Sequence, residues 1–185
     1  MKSKWKIILI TFAIIFSVVI AFAVGFNVTV NTAISYEEEI DTAKSGIGVT
    51  VKRRNELIPN LVDCIKAYDK HEYETLVKLT ENRNMDSDSN VAQVEKKILA
   101  IAEAYPELKS SDNYKQFMTE LSLTENRISL SRSNYNRWVT KYNTYCRTFP
   151  NKQILGFMGY KKRKIEKLKF DIDDDLKINI FEGEG

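Results

Sequence analysis

Apolar residues form one unbroken stretch near the start of the chain and then recur with helical spacing. From Ile7 to Phe26 the sequence IILITFAIIFSVVIAFAVGF carries twenty residues without a charge, about the length that crosses a bilayer as a helix. Beyond it, two interleaved series repeat every seven positions, which is typical of a helix in a bundle or coiled coil. The first series is Ile40, Ile47, Arg54, Leu61 and Tyr68, and the second is Lys44, Val51, Ile58 and Ile65.

Residues that break helices are scarce in the rest of the chain. No glycine occurs between Gly48 and Gly156, and the whole chain has three prolines, so the sequence favours helices. We predict an all-α fold, in which an N-terminal transmembrane helix (7–26) is followed by an elongated antiparallel four-helix bundle (27–150). Its later helices are predicted over about Lys70–Asn84, from Asn90 to Tyr105 before Pro106, and from the SSDN cap (Ser110–Asn113) to Phe149, with a loop at MDSDSN (Met85–Asn90) and a stop at Pro150.

Residues 151–185 join an apolar and basic segment to an acidic tail. In the tail, apolar residues alternate with polar ones on either side of the DDD run, as they would in a small hairpin. An isolated hairpin is only marginally stable, so partial disorder is the alternative interpretation.

Charges around the apolar stretch predict its orientation. Lys2, Lys4 and Lys6 precede it and acidic residues follow, so the positive-inside rule places residues 1–6 in the cytoplasm and the bundle outside, in a single-pass cell-membrane protein. A cleaved signal peptide is the alternative, because AFA at Ala21–Ala23 resembles a cleavage site. The three lysines also account for the whole net charge of +3. The remaining chain is neutral, which argues against nucleic acid as a partner.

Two patterns that resemble metal sites are incomplete, and the two cysteines do not indicate a site. HEYET starts like a zinc-protease motif, but His71 is the only histidine in the chain, and the motif needs a second one four residues later. DIDDDLKINIFE spaces Asp171 and the following acids like a calcium loop, but Leu176 stands where that loop needs glycine. Cys64 and Cys146 lie in apolar runs, where we favour buried free thiols over a disulfide. We therefore predict no catalytic residue, metal or cofactor, and no enzyme.

Three stretches resemble the LemA family: VTVKRRNELIPNLVDCIKAYDKHEYETL, YPELKSSDNYKQFMTELSLTENRISLSRSNYN and YNTYCRTFPNKQILGFMGYK. With the N-terminal apolar helix, the resemblance covers nearly all of residues 1–160. It implies a membrane-anchored antiparallel helical bundle, found in bacteria, whose molecular activity is not established.

Pairing the first and last long helices predicts a polar layer inside the bundle. If the turn near Asp69 is level with the start near Ser110, Arg54 lies level with Glu125. We predict that these two side chains pair, supported by Asn60 or Arg132, and that the layer fixes register more than it adds stability. The alternative places these charges on solvated flanks.

The same register predicts a contact with the membrane surface. Phe149 falls level with about residue 30, so the segment after it emerges beside the bilayer. Apolar side chains next to a basic cluster suit an anionic lipid surface; in the alternative, the apolar residues fold back and cap the bundle. The predicted contact residues are Ile154, Leu155, Phe157, Met158, Tyr160, Lys161, Lys162, Arg163 and Lys164.

These features favour a non-enzymatic scaffold or adaptor of the bacterial envelope that binds another envelope protein or itself. A regulatory subunit of a membrane protease or envelope stress system is the alternative. The two middle helices are too short to cover the membrane-proximal half, so we predict homo-oligomers through its apolar surface. That surface carries Ile34, Ile40, Tyr135, Trp138, Val139 and Tyr142.

Overall fold

The computed structural model describes residues 2–81 and 87–169, which are helical apart from short connections and a final extended segment. No strand occurs in these two ranges. The predicted tail hairpin, the DIDDDLKINIFE segment and part of the predicted MDSDSN loop lie outside them. The helices are α1 (Lys2–Ile65), α2 (Lys70–Glu81), α3 (Asp88–Ala104), α4 (Pro106–Ser110), α5 (Asp112–Tyr145) and α6 (Asn151–Phe157).

Helix α1 is 64 residues long and continues without interruption from the apolar stretch into the bundle. Large apolar side chains between Ile8 and Val24 are 47–68% exposed. Within the described residues none of the most apolar window of α1 is buried, so this part of the helix is a candidate membrane span rather than a core helix. Pro59 lies inside the helix on its exposed side. Its ring nitrogen carries no hydrogen, so the helix lacks one backbone hydrogen bond there.

Prolines mark the later helix boundaries, but not all where the sequence predicted them. Pro106 starts the short helix α4, a position where its missing N–H costs nothing. Ser111 caps α5, and its Oγ accepts a hydrogen bond from the backbone N–H of Tyr114 at 3.4 Å. Helix α5 ends at Tyr145, before the predicted end at Phe149, and Pro150 instead precedes α6.

Helices α1 and α5 lie side by side, and their contacts run in opposite sequence order. Near the apolar stretch, Tyr145 Oη donates to the carbonyl of Thr29 at 3.3 Å. Further along, Arg54 Nη1 lies 3.4 Å from Glu125 Oε1. Residues of rising number on α1 therefore meet residues of falling number on α5.

Two apolar cores follow one another along these helices. The membrane-distal core joins the end of α1 to α2, α3, α4 and the start of α5, and contains Ile58, Leu61, Ile65, Leu76, Val94, Ile98, Leu108 and Leu121. The membrane-proximal core joins α1, α5 and α6, and contains Ala33, Ile40, Tyr135, Val139, Tyr142, Cys146 and Leu155.

Residues 160–169, here called the return segment, run back along α5 and cover the membrane-proximal core. Asn143 Nδ2 donates to the carbonyl of Ile165 at 3.2 Å, and the N–H of Leu168 donates to Asn136 Oδ1 at 2.8 Å. The periodicity of the sequence does not predict this cover. Much of the surface from which oligomers were predicted is therefore buried within one chain: Ile40, Tyr135, Val139 and Tyr142 are each at most 7% exposed, whereas Ile34 is 44% exposed.

Candidate functional site

A buried arginine lies between the two cores, at the centre of a charged layer. Arg54 belongs to the heptad series of α1 and is 1% exposed, so its guanidinium must find partners inside the bundle. Nη1 donates to Asp88 Oδ1 at 2.9 Å and lies 3.4 Å from Glu125 Oε1. The layer thus connects α1 to α3 and α5.

A second arginine shares the same acid. Arg132 on α5 makes two close contacts with Asp88, Nη2 to Oδ1 at 2.9 Å and Nη1 to Oδ2 at 2.7 Å. Asp88 is the first residue of α3, where a negative charge also interacts favourably with the helix dipole. Asp88 is therefore the residue through which the start of α3 is attached to both long helices.

Glu95 adds a third carboxyl group to the layer, from the second turn of α3. It is 8% exposed, and its Oε1 accepts no hydrogen bond from any residue that the structure describes. Burial, followed by the negative charges of Glu125 and Asp88, raises the pKa of Glu95 to about 7, although Arg54 opposes the shift. Near neutral pH this carboxyl group is therefore divided between its protonated and ionised forms.

The other two acids respond differently to the same surroundings. Burial opposes the ionisation of Asp88, but hydrogen bonds from Arg132 and Arg54 outweigh it, so the pKa of Asp88 is lowered. Burial raises the pKa of Glu125 despite the nearby Arg54. The difference follows the number of arginine contacts that each carboxylate makes.

Asn60, which was predicted to support the layer, lies outside it. Its Nδ2 donates to the carbonyl of Glu56 one turn earlier in α1, at 3.2 Å, and the side chain is exposed. Asp88 and Glu95 belong to the layer although the alignment of the two long helices does not predict them. Glu95 had a detectable signal, because it shares helical spacing with the buried residues Val91 and Ile98.

The charged layer connects α1, α3 and α5 through ion pairs. Throughout residues 2–81 and 87–169, no group of three or more histidine, cysteine or acidic side chains is arranged to hold a metal ion. His71 is exposed in the first turn of α2. Cys64 and Cys146 are free thiols, half-buried and buried respectively.

At the other end of the bundle, the structure divides the predicted membrane-contact residues into two groups. Leu155 is 4% exposed in the proximal core, and Tyr160 is half-buried with its hydroxyl on Glu37 Oε1 at 2.5 Å. Phe157 and Met158 are 81% and 46% exposed. Leu155 and Tyr160 thus cap the bundle, as in the alternative interpretation, whereas Phe157 and Met158 remain exposed.

The basic residues of that segment are divided in the same way. Arg163 makes hydrogen bonds of 2.8 and 3.2 Å to both carboxylate oxygens of Asp41, and Lys164 Nζ lies 3.2 Å from Glu166 Oε1. The hydrogen bond from Arg163 lowers the pKa of Asp41. Lys161 and Lys162 are exposed, and Ile154 is half-buried.

A buried hydroxyl group holds the start of the return segment. Tyr142 Oη donates to Glu37 Oε1 at 2.5 Å and accepts from the backbone N–H of Arg163 at 2.9 Å. Burial and then the bond to Glu37 raise the pKa of Tyr142, and the same two causes raise that of Tyr160 to about 12. Both tyrosines therefore keep their hydroxyl protons at neutral pH and can serve as donors.

Comparison with known proteins gives one family match. Residues 43–178 match the LemA family. Protein LemA of Metamycoplasma hominis is 35% identical over 123 residues, covering 60% of this chain and 56% of that protein. This chain therefore spans little more than half the length of that relative.

A second set of relatives shares a shorter region. Magnetosome protein MamQ 2 of Paramagnetospirillum magneticum is 33% identical over 66 residues, covering 36% of this chain and 24% of that protein. Magnetosome protein MamQ of Magnetospirillum gryphiswaldense matches with the same identity and coverage. None of these names states a catalytic activity.

Proposed function

The chain belongs to the LemA family, and on that basis we propose that it is a membrane-anchored, non-enzymatic scaffold or adaptor of the bacterial cell envelope. It acts through contact with another envelope protein or with further copies of itself. The observation that carries the proposal is the continuity of α1, which joins an exposed apolar stretch directly to the bundle.

We further propose that the bundle is an elongated antiparallel four-helix bundle. The opposite sequence order of the contacts between α1 and α5 supports this arrangement, as does the core that both helices share with α2 and α3. The charged layer then fixes the register of the helices, because an arginine that is 1% exposed loses its partners if α3 or α5 slides by one turn. A bundle whose helices keep one register presents a rigid, preorganised surface to a partner.

Residues 1–6 lie in the cytoplasm and the bundle lies on the other side of the membrane under this proposal. Lys2, Lys4 and Lys6 on one side and the acidic Glu37–Asp41 region on the other support this orientation. A single cysteine introduced at the exposed position Ser45, labelled with an impermeant maleimide in intact cells, tests it. A Cys64→Ser and Cys146→Ser background removes the native thiols. Labelling only after lysis would reverse the orientation.

Affinity capture tests the proposed role. The full chain, tagged at its C-terminus and crosslinked in living cells, is purified from detergent-solubilised membranes beside a tagged anchor comprising residues 1–30. A stoichiometric envelope protein captured only by the full chain supports an adaptor, and capture of further copies alone supports a scaffold. Capture of a membrane protease would support the regulatory alternative. If neither a partner nor a second copy is enriched over the anchor, the proposal fails.

A further inference from the structure

A depression lined by cations lies where α5, α6 and the return segment meet. It has a volume of about 590 Å³. Its base includes the side chains of Leu155 and Tyr160, and the side chains of Arg147, Lys152 and Lys162 line it. None of its lining residues is acidic. All three cations are exposed, and none of them forms an ion pair within residues 2–81 and 87–169.

The depression lies beside the end of the apolar stretch. The rings of Phe26, the last residue of that stretch, and Phe157 have centroids 5.9 Å apart. A helix that crosses a bilayer over residues 7–26 therefore places α6 at the boundary between hydrocarbon and headgroups. Phe157 is 81% exposed there, and Phe149, just before α6, is 82% exposed; aromatic side chains favour that boundary.

We propose that this depression binds the phosphate headgroup of an anionic phospholipid, while Phe149 and Phe157 contact its acyl chains. Two observations favour lipid over a soluble anion. The three cations and the exposed rings of Phe149 and Phe157 belong to one short segment, residues 147–162, which suits an amphipathic ligand. Phe157, next to the lining residue Gly156, contacts Phe26 at the end of the apolar stretch. The site differs from the contact predicted from sequence, because Arg147 and Lys152 replace Arg163 and Lys164 as the cations that face the headgroup.

Contacts within the chain also hold α6 and the turn after it in place. Leu155 is buried in the proximal core, and the hydroxyl of Tyr160 is bonded to Glu37. These two contacts lie at the ends of the turn that carries Phe157, so the backbone of this turn is positioned before a ligand binds, which lowers the entropy cost of binding. The inference does not depend on the proposed partner role.

Native mass spectrometry of the full chain tests the proposal. The protein is released from nanodiscs that contain equal amounts of phosphatidylcholine and phosphatidylglycerol, and the retained lipid is identified. Wild-type protein should retain phosphatidylglycerol in preference to phosphatidylcholine. A variant that combines Arg147→Gln, Lys152→Gln and Lys162→Gln should bind it more than tenfold more weakly, because each cation near an anionic surface contributes about fivefold in affinity.

A matched variant controls for the loss of three charges. It combines Lys96→Gln, Lys109→Gln and Lys115→Gln, which are exposed in the membrane-distal half, and it should retain lipid like the wild type. Equal retention by the two triple variants would overturn the proposal. Inorganic phosphate provides the remaining arm: if 10 mM phosphate displaces the lipid, the site is a phosphate site and the lipid assignment is wrong.

A second measurement does not rely on substitutions in the depression. Hydrogen exchange of the full chain should be slower over residues 146–162 in nanodiscs that contain phosphatidylglycerol than in nanodiscs of phosphatidylcholine alone. Exchange over α3 should be the same in both. Identical exchange over residues 146–162 in the two lipids would contradict lipid binding at this site.

Discussion

Replacing Glu95 by glutamine should stabilise the chain at neutral and alkaline pH and leave its stability unchanged in acid. Glu95 is 8% exposed, and Arg54, Asp88 and Glu125 are the charged groups that influence its pKa. Its burial and the two nearby acids oppose ionisation more than the arginine favours it. Glutamine has nearly the same shape and never ionises, so it removes this cost without leaving a cavity.

The expected gain follows from the shift in pKa. The pKa of Glu95 rises from 4.5 to about 7 in the folded chain, and one unit corresponds to about 1.4 kcal/mol. Below pH 4.5 the carboxyl group is protonated in both states and costs nothing. Between pH 4.5 and 7 the unfolded state ionises first, so the free energy of unfolding falls. Above pH 7 the loss reaches about 3 kcal/mol, which is the gain expected for Glu95→Gln.

Urea unfolding of the full chain in a mild detergent, followed by circular dichroism from pH 4.5 to 8, measures this gain. Because Asp88 and Glu125 titrate in both proteins, the difference between the wild-type and Glu95→Gln curves reports mainly on Glu95. Glu74→Gln, at an exposed position of α2, is the control and should show no gain at any pH. A gain for Glu95→Gln that is the same at pH 4.5 and pH 8 would refute the reasoning.

The charged layer, the return segment and the thiols each give a further prediction. Arg54→Ala and Glu125→Ala should show a coupling free energy of about 1–3 kcal/mol in a double-mutant cycle of unfolding, and additive effects would mean that the two side chains do not interact. Arg163→Ala should speed hydrogen exchange over residues 160–169, by less than about tenfold, because exposed ion pairs contribute about 1 kcal/mol or less. Unchanged exchange would mean that Arg163 does not hold the return segment against α1. A maleimide at pH 7 should label half-buried Cys64 before buried Cys146, and slowly at both, since burial raises the pKa of each thiol; equal rates would contradict the described burial.

The helical fold could be predicted because its signals are local. The apolar stretch and, apart from Tyr68, the heptad series lie in α1, and the glycine-free region between Gly48 and Gly156 contains α2 to α5. The LemA resemblance is confirmed by the family match. Aligning the two long helices placed Arg54 level with Glu125, and the structure has their charged atoms 3.4 Å apart. That alignment needed only the rise per residue of a helix and the positions of the turns.

The remaining members of the layer depend on how α3 is rotated and placed against the long helices. Asp88 falls in the predicted MDSDSN loop, and no periodicity reveals that a loop residue will meet two arginines. Glu95 shares the spacing of apolar neighbours, but an acidic residue in a helix is usually solvated. A long carboxylic side chain can nevertheless be buried when its pKa rises.

The return segment could not be predicted from periodicity because it has no regular secondary structure. Its hydrogen bonds join residues far apart in the chain, such as Tyr142 and Arg163, or Asn136 and Leu168. Hydrogen bonds between side chains and an extended backbone leave no repeating pattern in a sequence. The apolar surface between α1 and α5 therefore appeared open to a second copy, whereas the chain covers much of it by itself.

If α1 crosses the bilayer as proposed, its unbroken course makes it a rigid arm that leaves the membrane at Phe26. From Phe26 to Ile65 the helix extends about 58 Å beyond the span, at about 1.5 Å per residue. A change of about 10° in the tilt of the membrane-spanning part moves the far end sideways by about 10 Å, provided that the helix does not bend. Under the proposed anchoring, a change in bilayer thickness that alters the tilt of the spanning part therefore displaces the membrane-distal core sideways.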